Sequence, residues 1–158
     1  MEANSHKEIE NLLQNIPTLS LSINDENQEP NASLLPFISH PELGLMVFAS
    51  TLSPHTAHLK RSPSCSVLIY DPNGPDPFAL KRIQLKCSVS LIESTHNNYN
   101  DVLDQMQAKL GSTMNMLRSL PGFFLFALKP VSGRLILGFG KAFVLQGYPL
   151  QIVEHIKK

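Results

Sequence analysis

Net charge is the first thing this chain lacks. Thirteen lysines and arginines balance 13 aspartates and glutamates across 158 residues. A neutral chain has no electrostatic footprint for nucleic acid or for an anionic membrane, so any basic cluster is local and suits a bound cofactor better than a polyanion. No apolar run approaches the ~20 residues of a membrane span, and no secretory signal is visible at the polar N-terminus. Cysteine is scarce: Cys65 and Cys87 are the only two. Both fall inside strand-like runs, so buried reduced thiols in a cytoplasmic protein are expected rather than a disulfide framework. Repeats and low-complexity segments are absent. With 42% apolar residues over this length, the chain is expected to form one domain, 1–158, with a sizeable core.

Catalytic constellations are missing too. Ser64-Cys65-Ser66 lies in a strand rather than on an exposed elbow. His55 and His58 are three residues apart and could both touch a metal, yet no Asp, Glu or Cys stands beside them at ligand spacing. A chain without its own acid–base set has to borrow chemistry from a cofactor.

What is present is a succession of short strands. Ser5 with Glu8 forms a capping-box pattern, Ile9, Leu12, Leu13 and Ile16 share a helical face, and Pro17 ends that helix. Leu19, Leu21 and Ile23 alternate with polar residues. A turn at Asn24–Asn27 then leads to a second strand, Pro30 to Ile38. Asp71–Pro77 is a Pro/Gly-dense loop. The next strand alternates strictly, Ile83, Leu85, Cys87, Val89 and Leu91 against Arg82, Gln84, Lys86, Ser88 and Ser90, which marks an antiparallel sheet with one wet face. His96 to Leu120 predicts a helix with Leu103, Met106, Leu110, Met114 and Leu117 on one stripe. This stripe reads as core packing in preference to a cofactor box. Phe123 to Lys129 and Arg134 to Leu145 predict two strands around a Pro130–Gly133 turn, while Gly138-Phe139-Gly140 reads as a bulge or a close backbone approach. A closed barrel would remove the exposed edges of so short a sheet.

The most informative stretch is Leu45–Asp71, a strand, a polar turn, a short basic helix and a second strand. Ser50, Thr51, Ser53, His55, Thr56, His58, Lys60 and Arg61 crowd between two apolar runs. Hydroxyls and cations at a strand end, beside the free amides of a helix N-terminus, suit a phosphate; the plain alternative is a capped helix with a solvated basic face.

The order of these pieces resembles the FMN-binding split barrel of the pyridoxamine 5'-phosphate oxidase superfamily. Phe48-Ala49-Ser50-Thr51, Ser53 to Thr56, and Leu59-Lys60-Arg61-Ser62-Pro63 are similar to that family's phosphate-gripping segment and its Leu-x-x-x-Pro step. The His-Thr pair and the run Gly133-Arg134-Leu135-Ile136-Leu137-Gly138-Phe139-Gly140-Lys141-Ala142 look most like the HugZ/HutZ haem-utilisation branch. The similarity spans about Thr18 to Leu145.

The resemblance implies a mainly β fold with flanking helices (α+β), a six- to eight-stranded antiparallel split β-barrel. An N-terminal helix over 1–17 and a C-terminal tail over 146–158 would flank it. It further implies a homodimer with haem or FMN at the interface. For FMN it nominates Ser50, Thr51, Ser53, His55 and Thr56 as phosphate or ribityl contacts, Lys60 as a charge, and Arg82 and Gln84 where the strand meets the flavin. For haem it nominates His155 as the axial iron ligand, against the alternative of an exposed terminal histidine. Relatives carry an acid where this chain has Gly122, which points to haem binding more than to haem breakdown. Lys60, Arg61 and Arg82 each have a bland alternative as solvated or paired surface charges. The expected function is haem binding in haem-iron utilisation, with oxidative haem degradation fed by an external electron donor as its enzymatic form. An FMN-dependent oxidoreductase and a non-enzymatic haem carrier or store are the alternatives.

Overall fold

In a computed structural model, the backbone of residues 2–157 and the side chains of residues 3–157 are described. Helix α1 (Glu2–Asn15) comes first. It starts before Ser5, so the expected capping box is not its N-terminus. Ser5 instead shares the inward stripe with Ile9, Leu12 and Leu13 and is buried with them. Pro17 keeps the following chain out of the helix, and its carbonyl accepts from Phe37 N–H at 3.1 Å.

Strands β1 (Thr18–Asn24) and β2 (Pro30–Pro36) form the first hairpin. The single predicted second strand is broken at Phe37, after which β3 (Ile38–His40) pairs with β4 (Gly44–Ser50). The other elements are α2 (Pro54–Arg61), β5 (Ser64–Tyr70), a 3₁₀ turn at Pro77–Ala79, β6 (Arg82–Ile92), α3 (Tyr99–Leu110), α4 (Ser112–Arg118), β7 (Phe123–Gly138), β8 (Lys141–Gln146) and β9 (Gln151–Ile156).

The strand order β2-β1-β5-β6-β7-β4-β3 shows how the sheet closes. Its two outermost members, β2 and β3, are consecutive in the chain and joined only through Phe37. The sheet must therefore curl until its edges meet, and fully buried Phe37 sits at that seam. Every pairing is antiparallel. The sheet is a split barrel, with β8 and β9 continuing beyond one half of β7.

Strand β7 is one 16-residue strand, not two strands around a turn. Proline at 130 cannot donate to the ladder, and the strand absorbs it as a bulge: Cys87 pairs with Pro130, Lys86 with Ser132, and Val131 is left over. The reversal lies at Gly138-Phe139-Gly140 instead, where Gly140 has φ +70° and β8 begins. The expected C-terminal tail is likewise an element, since β9 pairs with β8 from Gln146↔Gln151 to Ala142↔Ile156. The predicted 96–120 helix is two helices, because Gly111 takes φ +95° and ends α3.

Two apolar clusters result. The barrel interior holds Leu19, Leu21, Val47, Ile69, Ile83, Phe126 and Leu135, capped by the inward face of α1. A second cluster lies outside the barrel wall, where α3 and α4 cover Met46, Leu125, Ala127 and Ile92. Met106 and Met114 are buried here, as core packing requires. Strand β6 serves both clusters, so at its end the outward face becomes the covered one, and Ile92 is buried while Leu91 is exposed. No helix among the described residues is long and apolar enough to cross a membrane.

Candidate functional site

The β4–α2 turn is built as the pattern suggested. Ser50 ends β4, and its carbonyl accepts from Ser53 N–H at 3.1 Å and from the buried Thr56 hydroxyl. Ser50 Oγ accepts from Leu52 N–H at 3.1 Å. Thr51 N–H donates to Gly122 O at 2.8 Å, tying the turn to the start of β7. Gly122 itself has φ +81°, and a Cβ there would meet Thr51 Oγ1 at 3.0 Å. An acidic side chain at this position would be strained and crowded, so glycine is what the turn demands.

The turn's donors are partly consumed internally. Pro54 brings no N–H, and Thr56 N–H is already taken by Ser53 O at 3.1 Å. Ser53 occupies the N-cap position without a side-chain cap bond, so its hydroxyl and that of exposed Thr51 are the groups left for an outside acceptor. Burial, then the neighbouring charge of His58, holds the half-buried His55 below the ordinary histidine pKa, favouring its neutral form. The Lys60 ammonium lies 3.4 Å from the centre of the Phe124 ring. Arg61 reaches Glu26 Oε2 at 3.6 Å and His58 Nδ1 at 3.2 Å. Both cations therefore have local partners.

Arg82 and Gln84 belong to a different surface. They lie on the outer face of the sheet, on the side that no helix covers, where cross-strand register sets the neighbours. Leu68, Gln84, Arg134 and Val144 form one row, and Ser66, Lys86, Ser132 and Gln146 the next. Between them lies an open depression of about 660 Å³, within the ~300–1,000 Å³ range of small-molecule sites. Small side chains (Ser20, Ser22, Ala32, Ser66, Ser132) keep it hollow, and Leu68 and Val144 make it apolar. Among the described residues its ionisable lining is Lys86 and Arg134, with no acid beside them and no ion pair to either. Arg82 stands one row further on and donates to Leu80 O at 3.0 Å. The nominated residues thus form two groups, the β4–α2 turn and the outer sheet face.

His155 joins neither group. It sits on β9 opposite Phe143, with which it stacks at 4.7 Å between ring centres, and its Nε2–H donates to Gly140 O at 2.9 Å. Phe143 packs into the barrel interior, so His155 shares the inward face of β8–β9 and lies beside α1 residues Asn4 and Glu8. The depression opens on the other face, past Val144. No group of three or more potential metal-binding side chains occurs among the described residues.

Comparison with known proteins gives this geometry a lineage. The family model described as Pyridoxamine 5'-phosphate oxidase matches residues 5–137. The chain belongs to the pyridoxamine 5'-phosphate oxidase family. Within reach of that family lies the heme oxygenase HutZ of Vibrio cholerae serotype O1, 29% identical over 153 residues, which are 96% of this chain and 86% of that protein. The crystal structure of HutZ, there called the heme storage protein from Vibrio cholerae, matches with a TM-score of 0.76 at 28% identity, covering 84% of this chain and 93% of that one. Campylobacter jejuni ChuZ matches with a TM-score of 0.85 at 20% identity over 97% of this chain and 63% of that one, which speaks to the fold alone. A pyridoxamine 5'-phosphate oxidase-related, FMN binding protein from Nostoc punctiforme shares the fold at 15% identity, with a TM-score of 0.69 over 99% and 95% of the two chains.

For a member of this family, two residues of the depression went unnominated in the sequence. Lys86 was legible as part of the wet face of β6, two residues from Gln84, and that alternation is the signal that could have found it. Arg134 stands in the Gly133-Arg134 pair, but only the Gln84↔Arg134 register brings it to the site, and the Pro130 bulge that sets this register is invisible to periodicity.

Proposed function

We propose that this chain is a haem-binding protein of haem-iron utilisation that works as a homodimer, with haem held on the uncovered outer face of its sheet. One observation supports this most: two cations with no acidic partner among the described residues, Lys86 and Arg134, face outward from an apolar depression in a chain 29% identical to HutZ. As diagonal neighbours across β6 and β7 they stand about 7–8 Å apart at the backbone, a spacing that suits the two carboxylates of one ligand better than each other. The porphyrin would lie along Leu68 and Val144, with Gln84 between the cations as a hydrogen-bonding group. A second copy of the chain covers what one leaves open: Leu34, Tyr70, Val131 and Phe139 are exposed along or beside this face.

Bound haem supplies an iron centre whose redox chemistry the chain's own residues lack. Among the described residues the lining carries no histidine, cysteine, methionine or tyrosine to ligate it. His155 is held on the opposite face by Phe143 and Gly140, so haem capture here rests on the cations and the apolar wall. That arrangement favours holding haem over breaking it down. Breakdown would draw its electrons from an external donor. Two buried free thiols, Cys65 and Cys87, suit a reducing compartment, and we place the protein in the cytoplasm.

The second reading, an FMN oxidoreductase, is favoured by Thr51 and Ser53, whose hydroxyls are open beside the N-terminus of α2. Here the Thr51 and Ser53 hydroxyls would meet the phosphate, on a turn whose shape Ser50 and the buried Thr56 hold, with His55 beside it and Lys60 released from Phe124. Parallel titrations with hemin and with FMN separate the two. A saturable Soret shift that survives His155→Ala, with unquenched FMN, supports the haem reading; quenched FMN with a flat Soret band supports the flavin. Ascorbate under air then tests turnover: a stable Soret band means holding, and its decay means breakdown.

A further inference from the structure

A second, smaller cleft opens away from the depression, where α3 and α4 meet the barrel seam. It measures about 270 Å³, and its walls include Pro17, Pro36, Phe48, Met106, Met114 and Leu117. Among the described residues its sole ionisable lining residue is Lys109, accompanied by the hydroxyls of Thr18 and Thr113. Lys109 Nζ donates to Leu13 O, in the last turn of α1, at 3.2 Å, and stands 4.0 Å from the centre of the Phe37 ring. A helix C-terminal carbonyl and a ring face each offer only partial negative charge. No carboxylate among the described residues pairs with it. Burial accordingly pulls the Lys109 pKa down to about 8.

A tie from α3 to the end of α1 accounts for one of the three ammonium donors. It does not account for placing a charge with only these partial partners in the wall of an apolar cleft, where a neutral donor would make the same bond without the desolvation cost. An apolar cleft with few converging polar groups and one cation fits a ligand of complementary build: a hydrocarbon tail ending in a carboxylate. We propose that this cleft binds a small aliphatic carboxylate, its head group on the Lys109 ammonium and its chain against Phe48, Met106 and Met114. The site is independent of the haem depression, which lies on the part of the barrel wall that α3 and α4 leave bare.

The cleft carries its own reporters, because Met106 and Met114 are two of five methionines. The test uses intact protein labelled with ¹³C at the methionine methyls and titrated with sodium octanoate, then with 1-octanol. Octanoate is expected to shift the Met106 and Met114 methyls saturably, with octanol at least tenfold weaker. Lys109→Met is expected to erase that preference while leaving the hemin titration unchanged. Three results would overturn the proposal: no saturable shift at these two methyls, octanol binding as well as octanoate, or a preference that survives Lys109→Met. The octanoate–octanol comparison on unmodified protein decides the matter even if the variant folds poorly. A purely structural lysine would leave the two probes equal.

Discussion

Gly133→Ala is the substitution that probes the barrel wall behind the depression most sharply. A Cβ built on Gly133 would meet Gln84 O at 2.2 Å and Leu85 Cδ2 at 2.8 Å. The first obstacle is backbone of the adjacent strand, so relief requires β6 and β7 to part by about an ångström at the Leu85↔Gly133 pair. Overpacking of a well-filled site costs about 1–3 kcal/mol, and a backbone obstacle places this case near the upper end. For a chain of this size about 1 kcal/mol corresponds to about 2–4 °C in Tm, so the expected loss is about 6–12 °C. Gly74→Ala is the control, since its Cβ would meet only the flexible end of the Leu80 side chain in the 71–81 loop. Circular dichroism melts of the two variants against the parent make the measurement. A Gly133→Ala melt within about 2 °C of the parent would refute the close approach of β6 and β7.

Three further outcomes follow from the packing and electrostatics. Phe37→Ala empties the seam where β2 and β3 meet and removes the ring beneath Lys109; a loss of about 3–5 kcal/mol in urea unfolding is expected. Thr56→Val deletes the buried hydroxyl that holds Ser50 O, lowering stability by about 1–2 kcal/mol and weakening any FMN binding with it, as melts and flavin fluorescence would show. Between about pH 8 and 10 the unfolded chain keeps a proton on Lys109 that the folded chain has released, so raising pH through this window adds stability, and Lys109→Met removes that slope. Tyr148, whose pKa burial pushes upward, pulls the other way in more alkaline solution, which is why the variant comparison in urea is needed.

How far the chain reads from its sequence can be seen element by element. The alternation of Ile83, Leu85 and Cys87 gave β6 its faces directly, because a strand with one wet side records its burial at period two. The β4–α2 unit was legible for a similar reason: strand, turn and helix are local, and their hydrogen bonds run between near neighbours such as Ser50 and Thr56. What was hidden depends on partners distant in the chain. Pro130 looks like a turn former until β6 is beside it, when a bulge is cheaper than breaking a strand paired on both sides. Strand β9 has weak alternation because it is an edge strand with a register shift opposite Val144/Leu145, so Gln151–Ile156 reads as a tail. The face of His155 follows from that unseen pairing. The site split for the same reason, since Arg134 meets Gln84 only through register.

The most direct test is the affinity of the protein for hemin with and without the two outward cations, followed by the Soret band with sedimentation of the same samples. Loss of two charge contacts from exposed side chains, at about 1 kcal/mol each, predicts that Lys86→Gln/Arg134→Gln weakens hemin binding about tenfold to a hundredfold. The proposed dimer should be present in the variant as in the parent, with His155→Ala matching the parent. Undiminished hemin affinity in the double variant, or a parent protein that sediments as a single chain and leaves hemin free, would contradict the account.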